Sequence, residues 1–194
     1  MDDAETRPVV LDPAAIRAGE DELGIGANEA PPGTYSLVYE LNADAGVEVG
    51  ALGECEFPAG AYAYVGSAHG SNGLGRVERH CRVASGDHEV RHWHVDYLGG
   101  HPSTDLAAVV ASSNVDVDER SSSGRRGSPG DIECRVARRL GGSSDASPSA
   151  VERPLSSPVS GFGSSDCDCD AHLVSGEEVE TILSAVVESF EGKE

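Results

Sequence analysis

The chain has 194 residues and carries 34 Asp and Glu against 14 Lys and Arg, a formal net charge of −20 at pH 7. The length fits one domain with tails, and no run approaches the ~20 apolar residues that a membrane-spanning helix needs. A charge of this size argues against nucleic-acid binding by the surface as a whole, because DNA affinity comes largely from Lys and Arg.

The bases are almost all arginine, with Lys193 the sole lysine. An acidic, lysine-poor surface suits solvation in a high-salt cytoplasm, where charges are screened within a few Å, and points to a halophilic archaeal source. The acidic N-terminus lacks an apolar segment, so no secretory leader is expected and the chain reads as soluble and cytoplasmic. Five cysteines (Cys55, Cys81, Cys134, Cys167, Cys169) in that compartment are expected to form no disulfides. Cys81 and Cys134 fall on helix faces and read as core residues.

Residues 1–32 are rich in acid and proline with little periodicity, and read as an acidic flexible extension with at most a turn of helix near Pro13–Ala18. From Thr34 to Leu41, Tyr35, Leu37, Tyr39 and Leu41 alternate with Thr34, Ser36, Val38 and Glu40, the pattern of a strand. Val47–Val49 and Glu54–Phe57 read as an inserted hairpin. Tyr62 and Tyr64 alternate with small residues in a second long strand, which runs into the glycines Gly66, Gly70, Gly73 and Gly75. A helix then begins near Leu74, with Leu74, Val77, Cys81 and Ala84 as its buried stripe and Arg76 and His80 one turn apart. Val90–Leu98 reads as a helix holding Trp93, His92 and His94, and Thr104–Val110 as a buried strand.

Flexible insertions are expected near 112–130 and 142–157, separated by a helix that Asp131 would cap and that runs through Leu140. A polar segment from Gly161 to Leu173 contains Cys167, Cys169 and His172. The last helix, residues 175–190, has Val179, Ile182, Leu183, Val186, Val187 and Phe190 as its stripe, with Ser175 and Glu178 as a capping box. The expected fold is α/β in the α+β sense: a small mixed or antiparallel sheet with an inserted hairpin, flanked by helices. Its domain would span 33–174, with the terminal helix packed on it.

Gly33-Thr34-Tyr35, then Tyr64-Val65-Gly66, then Arg76 and His80 on the next helix resemble the GIY-YIG nuclease superfamily. The segments 64–68, 92–98, Glu133-Cys134 and 161–167 are similar to an archaeal branch of unknown function, sometimes fused to endonuclease III. The resemblance implies a metal-dependent DNA endonuclease that hydrolyses a phosphodiester bond, structure-specific or repair-related. Tyr35 or Tyr64 would position or deprotonate the water, Arg76 would neutralise phosphoryl charge, and His80 would orient the tyrosine or shuttle a proton. Glu133 would hold the metal. It further implies DNA as partner, with another repair nuclease or glycosylase beside it. Mg²⁺ or Mn²⁺ suits a carboxylate with several waters.

Each of these residues has a plainer reading. Tyr35 and Tyr64 could be half-buried sheet tyrosines, Arg76 and His80 solvated helix residues, and Glu133 a first-turn acid favoured by the helix dipole. Arg79, Arg82, Arg91 and Arg138 are the expected nucleic-acid contacts, since seven of the thirteen arginines fall on the two helices framing the site and the stretch between them. Cys167, Cys169 and His172 are a candidate second metal site, with His92 or His94 as a fourth ligand. Interleaved aspartates and the Cys-x-Cys spacing favour a tight polar loop over this site, which leaves Zn²⁺ possible but less favoured than Mg²⁺ or Mn²⁺. The rival functions are a catalytically inactive nucleic-acid-binding or accessory module on the same fold, and a metal-binding interaction protein.

Overall fold

A computed structural model describes residues 7–113, 129–141, 155–165 and 167–191. The alternating tyrosines and leucines of the first long strand, β2 (Gly33–Leu41), turn one face of a sheet into a core, because successive side chains point to opposite faces. The sheet has five strands. In chain order these are β1 (Val9–Leu11), β2, β5 (Gly60–Ala68), β6 (Thr104–Ser113) and β7 (Leu173–Gly176). Their spatial order is β1-β6-β2-β5-β7, and every pairing is antiparallel. The inserted hairpin forms as expected, as a separate two-stranded sheet of β3 (Ala45–Glu48) and β4 (Glu54–Phe57).

Helices cover both faces, so the sheet separates two cores. Tyr35, Leu37, Tyr39, Tyr62 and Tyr64 face one core with Leu74, Val77 and Cys81 of α2 (Gly75–Ala84) and Val95 and Leu98 of α3 (His94–Gly99). Val38, Ala63, Val65 and Val110 face the other, with Val136 and Leu140 of α4 (Pro129–Gly141) and Ile182 and Val186 of α5 (Val179–Glu191). This is the expected α+β architecture. Among the described residues, no helix is long and apolar enough to cross a membrane.

The N-terminal stretch departs from expectation. Residues 7–32 are built into the domain. β1 extends the sheet at β6, pairing Val9 with Ala111 and Leu11 with Val109. Asp12 then caps α1 (Pro13–Ala18) by accepting from the Ala14 N–H at 2.8 Å, and Gly19 ends it at φ 71°, a left-handed turn that suits glycine. Asp21 ties down the following loop, accepting from the N–H groups of Leu23, Ile25 and Gly26. Ile16 and Ile25 are buried in the first core. Few apolar residues suffice here because Leu11, Ile16 and Ile25 are all buried, even though Val10 is exposed. Ile16→Ala is therefore expected to destabilise the fold by about 2–5 kcal/mol. An unchanged urea midpoint would show that this stretch contributes nothing to it.

Three smaller expectations are also corrected. Ser175 lies in β7, where its Oγ donates to the Ser156 carbonyl at 3.2 Å, so it forms no capping box with Glu178. Asp131 falls inside α4, which begins at Pro129. Residues 112–113 belong to β6 and 129–130 to α4, while Leu155 is buried in the second core and Ser156 pairs with Ser175. The remainder of the two expected insertions, 114–128 and 142–154, lies outside the described residues, as do residues 1–6.

Candidate active site and metal centre

The register of β2 on β5 sets Tyr35 opposite Gly66 and Leu37 opposite Tyr64, which brings both tyrosines to one face. Each ring lies where a side chain is missing. A Cβ on Gly66 would come 2.6 Å from Tyr35 Cζ, and one on Gly163, at φ 74°, 2.6 Å from Tyr64 Cε2. Glycine is required at both positions by close approach.

Tyr35, Tyr64, Arg76 and Glu133 line one cleft of about 250 Å³, together with His92, Trp93, His94 and Ser165. Arg76 donates to the Ser67 carbonyl at 2.9 Å and lies over the Trp93 ring, 5.2 Å from its centroid. His80 stands behind the cleft, 1% exposed, with Nε2 3.1 Å from the Tyr35 hydroxyl. Its Nδ1 lies 2.7 Å from Asp96 Oδ1.

No local pattern in the sequence marks Asp96. It is fully buried in the first turn of α3 and also accepts from Arg79 Nη1 at 2.9 Å and from the backbone N–H groups of His92 and Trp93. Burial alone would raise its pKa. The hydrogen bond from His80 Nδ1–H and the two backbone N–H bonds outweigh that and hold the carboxyl far below its ordinary 3.8. An ionised carboxylate only accepts, so His80 carries its proton on Nδ1 and offers the Nε2 lone pair to the Tyr35 O–H. Burial keeps His80 below its ordinary 6.5 and so neutral, although Asp96 pulls the other way. Burial likewise drives both phenols above their ordinary 10.0, with Arg76 opposing it. Tyr35 is thus a neutral phenol hydrogen-bonded to a neutral imidazole that a carboxylate backs.

The expected arginine patch is altered. Arg79 is committed to Asp96 and the Val90 carbonyl and stacks on Trp93 at 4.7 Å, and Arg91 donates to the carbonyls of His88, Glu89 and Gly100. Both brace the segment that carries Trp93. Arg82, beside Glu78 at 3.8 Å, and Arg138 are exposed.

A second cluster adjoins the cleft. Cys134 of α4 meets Cys167, Cys169 and His172 of the segment before β7, and the four donor atoms all lie within 4.8 Å of one another. His172 Nε2 is 3.3 Å from Cys167 Sγ and 3.9 Å from Cys134 Sγ. A tetrahedral zinc with Zn–S near 2.3 Å has ligand-to-ligand edges of about 3.8 Å, so the spacing fits. Three thiols and an imidazole are a zinc-type donor set, whereas Mg²⁺ and Mn²⁺ take oxygen donors. This overturns the expectation of Mg²⁺ or Mn²⁺ with Zn²⁺ less favoured. The fourth donor of the set is Cys134, which is buried as expected of a core residue. His92 does not join the cluster, and His94 Nδ1 accepts from the Gly163 N–H at 3.1 Å. Glu133, expected to bind the catalytic metal, lines the cleft and accepts from His172 Nδ1–H at 2.8 Å through Oε1.

No curated protein and no solved structure matches this chain. The sequence pattern of the family described as Domain of unknown function DUF123 matches residues 34–194, and the chain belongs to that family.

Proposed function

We propose that the protein is a hydrolase that cleaves a phosphodiester bond of DNA, as the GIY-YIG nucleases it resembles do. The observation that supports this reading best is the Tyr35–His80–Asp96 chain opening on a cleft that also holds Arg76. Water at the cleft face of Tyr35 can give its proton to the phenol oxygen as the phenol passes its own to His80 Nε2, while the water oxygen bonds to phosphorus and the P–O bond to the leaving oxygen breaks, that oxygen taking a proton from solvent. The Asp96 carboxylate then stabilises the imidazolium. Tyr35 acts as a relay and is never a free phenolate, so its raised pKa is no obstacle. Arg76 sits where negative charge on the non-bridging oxygens would develop.

A second reading, an inactive DNA-binding module on the same fold, draws on one observation: Glu133 is engaged by His172. Cleavage separates the two. The purified, metal-replete chain, incubated with nicked, branched and single-stranded DNA at about molar KCl to screen its net charge of −20, is expected to cut at least one of them. Arg76→Ala should lower the rate by about 10²–10³, the scale for removing one charge-stabilising donor. Equal rates for the two proteins would remove Arg76 from the chemistry, and binding without any cutting would favour the inactive module.

A further inference from the structure

We propose that Cys134, Cys167, Cys169 and His172 bind one Zn²⁺ and that this ion, through His172, fixes Glu133 and with it one wall of the cleft. The zinc centre and its coupling to the cleft stand whether or not the cleft cleaves DNA.

The link is one imidazole ring. His172 is 3% exposed and turns Nε2 toward the sulfurs, while its Nδ1–H is held by Glu133 Oε1 at 2.8 Å. A carboxylate on the far nitrogen of a ligating histidine fixes both tautomer and ring orientation. Glu133 and Cys134 are neighbours on α4, about 100° apart around the helix, so one helix presents a ligand to the centre and a carboxylate to the cleft. The other wall element is the segment 161–172. Its described residues have no regular secondary structure, yet it supplies Gly163 against Tyr64, Ser165 to the cleft lining and three of the four ligands. Ordering such a segment costs on the order of 1–2 kcal/mol per residue, which metal binding can offset.

The test uses the full chain purified under reducing conditions. Metal content is measured by mass spectrometry, and zinc affinity by competition with a chromophoric chelator. Trp93, the only tryptophan and a cleft residue, reports the wall by its emission. One zinc per chain is expected, lost in Cys169→Ser. Glu133→Ala should weaken zinc binding by about 10–100-fold, with Glu133→Gln in between because its amide oxygen can still accept the His172 N–H. In Co²⁺-substituted protein, Glu133→Ala should also shift the thiolate absorption bands, which lost packing alone would not do. Chelation of the wild type should move Trp93 emission while the far-ultraviolet circular dichroism of the sheet and helices persists, and added zinc should restore it. Reduced protein that binds no zinc overturns the site. Unchanged affinity in Glu133→Ala, an unmoved Trp93 emission, or global unfolding on chelation overturns the coupling to the cleft.

Discussion

Asp96→Asn is expected to reduce phosphodiester cleavage by on the order of 10⁴, the scale seen when the carboxylate behind a catalytic histidine is neutralised. Asp96 is a positioning residue: it touches His80 and lies away from the cleft lining. As a carboxylate it accepts from His80, Arg79 and two backbone N–H groups. An asparagine has one acceptor oxygen, and its NH₂ group would face one of those donors. His80 could then take the tautomer that places the proton on Nε2, where it cannot receive the Tyr35 proton. The same change breaks a buried ion pair and should destabilise the fold by about 3–5 kcal/mol.

The pH profile separates the two effects. The proposed relay needs neutral His80, whose pKa lies below 6.5, so a cleavage rate that runs through it should be flat above that value and fall only on its acid side. Asp96 raises the His80 pKa, so the acid limb should move to lower pH in Asp96→Asn. A reduced folded fraction alone would lower the profile without moving that limb. Stability has its own sign. Asp96 titrates below its ordinary value in the folded state, so its stabilisation is complete above pH 3.8 and is lost as pH falls below that value.

Much of this arrangement was legible along the chain. Period-two tyrosines marked β2 and β5, and the three- and four-residue spacing of Leu74, Val77 and Cys81 marked α2, which placed Arg76 and His80 at one junction. What escaped notice is tertiary. β1 is three residues long and finds its partner at Val109–Ala111, about a hundred residues away, so no local periodicity announces it. β7 is four residues long, and its Ser175 imitates a helix cap. Asp96 is an ordinary first-turn acid until the fold sets it behind His80. Cys134 has the spacing of a core residue, and only the approach of the 167–172 segment gathers it into a cluster of three thiols and an imidazole. One available signal was the adjacency of Glu133 and Cys134, two potential ligand residues in consecutive positions of one helix.

The proposed relay runs through the Tyr35 hydroxyl, and Tyr35→Phe removes it. The substitution keeps the ring against Gly66 and removes only the oxygen bonded to His80. Tyr35 is 2% exposed, so His80 Nε2 is left without that donor, a loss of about 1–3 kcal/mol in stability that leaves the protein folded for assay. The measurement is the single-turnover cleavage rate on the best DNA substrate, with saturating protein of known zinc content. A fall of about 10²–10⁴, the range for a proton-transfer group, with DNA affinity unchanged, is the predicted result. Cleavage by Tyr35→Phe at the wild-type rate would contradict the relay and with it the active site proposed for this cleft.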